Sequence, residues 1–178
     1  ELSSTQDIAV TIITANDNTP AITSSSGISV SENSTIVTTV TATDADLPAQ
    51  PLTYSIAGGS DSTLFAINPS TGELTFTAAP DYEMQKDAGM DNVYNVTVQA
   101  SDGTLAITQD IAVAVTPVND NLPVITSPAN FSIPENTAAV TVVTATDADL
   151  PALPLTYSIV SGADSVLFTI NPSTAPLT

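Results

Sequence analysis

Residues 1–75 return at 104–178 with a constant shift of 103 and no gap. DIAVTIITANDNTP, from Asp7, reappears as DIAVAVTPVNDNLP from Asp110. TVTATDADLPAQPLTYSI, from Thr39, reappears as VVTATDADLPALPLTYSI from Val142. A solenoid repeats every 20–50 residues or so, whereas a period near 100 is the length of a whole domain. The copies meet at an Asn-Asp-Asn-Xaa-Pro string, Asn16–Pro20 in one place and Asn119–Pro123 in the other. The repeat therefore predicts three segments: 1–18 as the C-terminal tail of one repeat, 19–121 as a complete domain, and 122–178 as the truncated N-terminal part of a third.

Short alternating runs fill the complete copy. Leu52, Tyr54 and Ile56 alternate with Thr53 and Ser55, and Tyr94, Val96, Val98 and Ala100 alternate with Asn95, Thr97 and Gln99. Such alternation marks strands with one buried face. Runs at Ile28–Val30, Ile36–Thr43, Phe65–Ile67, Leu74–Phe76 and Ile111–Val115 complete the set. Asn68-Pro69-Ser70-Thr71-Gly72 reads as a hairpin loop with Gly72 supplying a positive φ. Seven strands in about 100 residues predict an all-β, Greek-key β-sandwich of immunoglobulin-like build, in tandem. In the last segment Gly72 becomes Ala175 and Glu73 becomes Pro176. An alanine resists a left-handed turn and a proline removes a ladder donor, so this end is expected to be poorly ordered. That segment also lacks counterparts of residues 76–115, which leaves its apolar face open to strand donation or aggregation.

Lys86 is the only basic residue against nineteen acids, for a net charge of −18. Nucleic acid and anionic membranes both need a basic face, so neither is an expected partner. No apolar run is long enough to span a bilayer, and no leader peptide is visible. Cysteine and histidine are absent, so any metal site is built from oxygen, which favours calcium, magnesium or manganese. No histidine base and no G-x-S-x-G string support catalysis, and no enzyme is expected.

Eleven of the nineteen acids fall in short strings at strand ends or turns: SEN at Ser31–Asn33, DAD at Asp44–Asp46, DYE at Asp81–Glu83, SDG at Ser101–Gly103, the two NDN strings, PEN at Pro134–Asn136 and DAD at Asp147–Asp149. The ends of successive strands alternate between the poles of a sandwich, so acids of adjoining copies would gather at their junction. Two carboxylates about 4 Å apart repel by roughly 1 kcal/mol in water and about 4 kcal/mol at an effective dielectric of 20. A cation is the natural complement.

These strings resemble the calcium signature of cadherin repeats: PEN after the first strand, D-R/Y-E, D-x-N-D-N at the linker, D-x-D after the second strand and x-D-x before the last. The string PDYE followed by DNVYNVTVQASDG resembles most the cadherin-like repeats of bacterial surface and secreted proteins. The resemblance implies Ca2+ as the cofactor and an extracellular or cell-surface location. It implies a role in adhesion or scaffolding, with calcium rigidifying the array. It assigns Glu32, Asp81, Glu83, Asn119, Asp120, Asn121, Asp147 and Asp149 to one junction, and Asn16, Asp17, Asn18, Asp44, Asp46 and Asp102 to an earlier one. Thr14 and Pro117 stand where the family has the first Asp of D-x-N-D-N, so each linker lacks one carboxylate and the earlier junction is expected to bind weakly. Expected partners are neighbouring repeats of the same chain and homophilic contacts; calcium-dependent binding of a polysaccharide or other ligand is the alternative. Asp61 and Asp164 read as turn residues, and Asp87 and Asp91 as solvated loop acids.

Overall fold

The computed structural model describes residues 2–178. The chain divides into two compact units. One comprises the residues up to Pro80 together with Gln85–Thr116, and the other comprises Asp81–Met84 with Pro117–Thr178. Among the described residues every regular element is a strand or a single 3₁₀ turn, and the architecture is an all-β sandwich.

In the first unit the strands are β1 (Ala21–Ile22), β2 (Gly27–Ser31), β3 (Ile36–Thr39), β4 (Ala42–Thr43), β5 (Thr53–Gly58), β6 (Phe65–Ile67), β7 (Glu73–Phe76), β8 (Val93–Ser101) and β9 (Ala106–Thr116). One sheet runs β2-β9-β8-β5 and another β3-β7-β6, with β1 paired to β4. The run Ile36–Thr43 is divided between two partners: β3 pairs with β7, a register that the Val40 N–H bond to the Gly72 carbonyl extends, and β4 pairs with β1. β2 lies parallel to β9, with Ile28 opposite Val113 and Val30 opposite Val115, while β8 and β9 are antiparallel.

Period-two alternation places the core. Tyr94, Val96, Val98 and Ala100 of β8 and Ile111, Val113 and Val115 of β9 are buried, as are Val37, Val40, Phe65, Leu74 and Phe76 of the opposing strands. Phe65 stacks on Phe76 at 4.6 Å between ring centroids, and Phe76 meets Tyr94 edge-on at 5.1 Å. Such pairs add about 0.5–1.5 kcal/mol each beyond the area they bury.

Asp61 is more than a turn residue. It is buried, and its carboxylate accepts N–H bonds from Ala88 at 2.6 Å and Asn95 at 2.7 Å and the Ser60 hydroxyl at 2.9 Å. Burial alone would raise its pKa, but these donors outweigh burial and hold it below the usual carboxylate value. Asp87 is likewise buried rather than solvated, accepting from the backbone of Asp91 and Asn92. Asp61 thus fastens the 85–92 loop to β8, and Asp87 closes the loop on itself.

The second unit begins the same fold. Its strands are β10 (Val124–Ile125), β11 (Thr141–Val142), β12 (Ala145–Thr146) and β13 (Pro176–Leu177), paired β10–β12 and β11–β13. Contrary to expectation the 171–176 hairpin forms, with Ala175 at φ 59° and its N–H on the Asn171 carbonyl, as Gly72 N–H bonds Asn68. The reason is local: the Asn171 side chain accepts from both Ser173 and Thr174, as Asn68 does from Ser70 and Thr71. This Asx turn sets the loop, and the alanine is carried into a conformation that costs it about 1 kcal/mol. Leu153, Val160, Leu167 and Phe168 are exposed.

These geometries give two tests, the first at the matched hairpin positions 72 and 175. Ala175→Gly should stabilise the chain by about 1 kcal/mol in denaturant melts. Gly72→Ala should cost at least about 2 kcal/mol, because its Cβ would collide with the Val40 carbonyl. The second concerns acid. A carboxylate whose folded pKa is depressed contributes stability that is present above its ordinary value of 3.8 and is lost as pH falls through the folded value. Asp61→Asn should therefore weaken the 85–92 loop at neutral pH and flatten its acid sensitivity. Trypsin reports this directly, since Lys86 is its only site in the chain. Cleavage at pH 7 should accelerate about tenfold in the variant, a loss of about 1.4 kcal/mol; an unchanged rate would show that Asp61 does not hold the loop.

Candidate metal centre

Within the first unit, Asp44, Asp46 and Asp102 present carboxylate oxygens that lie within 4.8 Å of one another. Two loops build this cluster. After β4 the chain turns so that Asp46 N–H bonds Asp44 Oδ1 at 2.8 Å, which points both carboxylates the same way. Between β8 and β9, Asp102 Oδ1 accepts from the backbone of Thr104 and Leu105, both at 2.7 Å. Asp46 and Asp102 are buried and Asp44 is half-buried.

The linker supplies amides. Asn18 donates to Asp46 from both its backbone and its side chain, and also reaches Asp17 Oδ1. Asn16 lies between the two acids: its amide nitrogen donates to Asp46 Oδ2 at 2.8 Å and Asp102 Oδ2 at 3.0 Å, and its oxygen accepts from Thr104 Oγ1 at 3.2 Å. Asp44 Oδ2 is buried and has no hydrogen-bond partner. Calcium–oxygen bonds of about 2.3–2.6 Å put neighbouring ligand oxygens roughly 3 Å apart. This donor set of hard oxygens, with one buried oxygen unpartnered, fits such an ion.

Hydrogen bonds lower both pKa values here. The Asn18 side chain is the main cause for Asp46, against the opposing effect of burial; the Leu105 and Thr104 N–H groups are the main causes for Asp102. The carboxylates are thus held in the charged form a cation needs.

The second unit repeats the arrangement 103 residues on. Asn121 donates to Asp149 Oδ1 from its backbone at 3.1 Å and from its side chain at 2.9 Å, and Asp149 N–H bonds Asp147 Oδ1 at 3.0 Å. The Asn121 side chain leads in lowering the Asp149 pKa. Asp149 is buried and its Oδ2 has no partner. Glu83 joins from the 81–84 segment: its Oε1 accepts Leu150 N–H at 2.9 Å, and its carboxylate lies with those of Asp120 and Asp149 within 4.8 Å. Asp81 Oδ1 caps the same segment, accepting from Glu83 and Met84. Among the remaining candidates, Glu32 is buried just past β2, and Asn119 is exposed on the linker. Each of the two clusters contains a D-x-D string and linker residues. Sequence reasoning missed Asp61 and Asp87, whose anchoring role has no motif to mark it.

Comparison with known proteins agrees with this geometry. The sequence model of the cadherin domain matches residues 26–118. Human protocadherin Fat 4 is 35% identical over 99% of the chain, and mouse cadherin-23 is 33% identical over 96%. The chain spans only 4% and 5% of the length of those relatives. Among solved structures, the extracellular cadherin domains 3–6 of protocadherin gamma B2 superpose with a TM-score of 0.68 at 25% identity, covering 93% of this chain and 44% of that one. No helix among the described residues is long and apolar enough to cross a membrane. Sandwich topology, the ordered acidic strings and the matched domain converge on one assignment: the chain belongs to the cadherin family.

Proposed function

We propose that this chain is a calcium-binding segment of an extracellular adhesive or scaffolding array, in which acidic clusters at the ends of successive cadherin repeats fix one repeat against the next. Cadherin-family relatives are adhesion proteins rather than enzymes, which favours a mechanical over a catalytic role. The observation that carries the reading is the meeting of the Asp44, Asp46 and Asp102 carboxylates within 4.8 Å, with Oδ2 of Asp44 buried and unpartnered.

In this reading Asn16, Asp17, Asn18, Asp44, Asp46 and Asp102 serve one site. Asp81, Glu83, Asn119, Asp120, Asn121, Asp147 and Asp149 serve the next, with Glu32 from the end of β2. Bound calcium supplies positive charge and a demand for six to eight oxygens. The chain's own part is to hold those oxygens in place. Backbone N–H groups and the two clamping asparagines fix the aspartate rotamers, so little ordering remains when an ion arrives. Emptied of cations, each cluster repels itself and the linker 117–123 loosens; filled, the linker stiffens. Dissociation constants of about 10⁻⁴–10⁻³ M, usual for extracellular modules, would tune the array to external calcium. Contacts between copies at a surface are the partner interaction this design serves. The string PDYE with DNVYNVTVQASDG supports the finer placement in a bacterial surface or secreted protein.

Calcium-dependent melting tests the proposal. At ten times the dissociation constant, mass action adds about 1.4 kcal/mol per site, or about 5–10 °C for a domain of this size. Asp46→Asn and Asp149→Asn should each remove a distinct part of that shift. Asp164→Asn, at an exposed turn without a side-chain cap bond, should leave it intact. A melting temperature indifferent to millimolar calcium would refute the reading.

A further inference from the structure

Of the seven glycines only Gly103 follows an aspartate or an asparagine. An Asp-Gly bond is where a side-chain carboxyl carbon closes most readily on the next backbone nitrogen, because glycine puts no Cβ in the way. The product is a five-membered succinimide. Asp102–Gly103 lies in the turn between β8 and β9, and the Asp102 carboxylate belongs to the cluster with Asp44 and Asp46.

The turn arranges both reacting groups. Asp102 Oδ1 accepts the N–H groups of Thr104 and Leu105, both at 2.7 Å, which curls the carboxyl group back over the Gly103 peptide. Two N–H donors on one oxygen stabilise the negative charge that builds there when its carbon is attacked. The nitrogen is oriented as well: Gly103 N–H donates to Ser101 Oγ at 3.1 Å, and Ser101 Oγ donates onward to the Leu105 carbonyl at 2.9 Å. Gly103 sits at φ 98°, and beyond its chain neighbours no heavy atom lies within 4 Å of where a Cβ would stand. Nothing crowds its approach to Asp102 Cγ. The other carboxylate oxygen, Oδ2, faces the cluster, where the Asn16 amide nitrogen donates to it at 3.0 Å.

We propose that the 101–105 turn is a self-modifying site, at which Asp102 closes on Gly103 while the cluster lacks calcium and residue 102 becomes isoaspartate. The trigger rests on the calcium reading above. In the first step the bond from Gly103 N to Asp102 Cγ forms and the Cγ–Oδ2 bond breaks. Oδ2 leaves as water, carrying the Gly103 proton, relayed through Ser101 Oγ, and one proton from solvent. Oδ1 stays in its two N–H bonds as the new ring carbonyl. Water then opens the succinimide. Opening at the Asp102 backbone carbonyl routes the chain through Cγ, one methylene longer, and leaves the carboxylate on Cα. No oxidant or other reactant enters. An ion bound to Oδ2 holds the leaving oxygen as a ligand and so blocks the first step. After isomerisation the carboxylate is displaced from Asp44 and Asp46, and refilling with calcium does not restore it. A period without calcium thereby becomes a permanent loss of the site.

Ageing the whole chain in warm neutral buffer tests this, in chelator and in about 10 mM calcium, roughly ten times the dissociation constant expected of such a module. Isoaspartyl methyltransferase labelling measures the product. Asp-N endoprotease locates it, since it cuts before aspartate and not before isoaspartate. Isoaspartate should appear at residue 102. It should accumulate about tenfold faster in chelator, because at ten times the dissociation constant only about one site in eleven is empty. In chelator the folded chain should react faster than a synthetic peptide of residues 98–107, which has the Asp-Gly bond without the turn. Ser101→Ala should slow the folded chain several-fold by removing the relay. A folded chain slower than the peptide, or an unchanged rate in Ser101→Ala, would overturn the built site. Equal rates in calcium and chelator, in a chain whose melting temperature still rises with calcium, would overturn the proposal and leave the calcium reading standing. A chain whose melting ignores calcium loses both.

Discussion

Carboxylates held within 4.8 Å of one another are the constraint around which the ends of these sandwiches are organised. Each would lower its energy by turning to water or taking up a proton. The fold prevents the first by tying Asp44 to Asp46 N–H and Asp102 to two consecutive N–H groups. It opposes the second by lowering the Asp46 and Asp102 pKa values with hydrogen bonds. What remains is a fixed concentration of negative charge whose unsatisfied oxygens need an external partner. Asp44 Oδ2 states this in atoms: it is buried among these carboxylates and has no hydrogen-bond partner.

The sandwich supplies the rigidity that this requires. Its core is built from two alternating strands, β8 and β9, whose buried side chains oppose Val40, Leu74 and the Phe65–Phe76–Tyr94 aromatic group. Asp102 leaves directly from β8 and the 117–123 linker from β9, while Asp44 and Asp46 follow β4. Away from these acidic strings the same chemistry is used structurally. Asp61 and Asp87 are satisfied by backbone N–H groups and hold a loop in place. What distinguishes the clustered acids is that carboxylates stand beside carboxylates and that Asp44 and Asp149 each keep a buried oxygen without a partner.

Much of this was legible in the residues. Alternation placed Tyr94–Ala100 and Ile111–Val115 on buried strands, and Gly72 in a left-handed turn, because those signals act over two to five neighbouring residues. The shift of 103 located equivalent linkers, and the paired Asn18–Asp46 and Asn121–Asp149 clamps lie at equivalent positions. Asp61 and Asp87 were not legible. Their partners Ala88, Asn95 and Asn92 donate from the backbone, which carries no identity in sequence, so an anchoring aspartate and a solvated one look alike. Ala175 misled for a similar reason: the residue's own preference opposed the turn, but Asn171, four residues earlier, decided it. The division of the Ile36–Thr43 run depended on its two halves pairing with different strands, β7 and β1, which are distant from each other in sequence.

The account rests on what the Asp44, Asp46 and Asp102 carboxylates hold between them, and a high-resolution crystal structure of the chain grown in calcium addresses it directly. The prediction is a density peak at about 2.3–2.6 Å from a carboxylate oxygen of each, with Asp44 Oδ2 turned toward it. The contradicting result is no ion there at millimolar calcium.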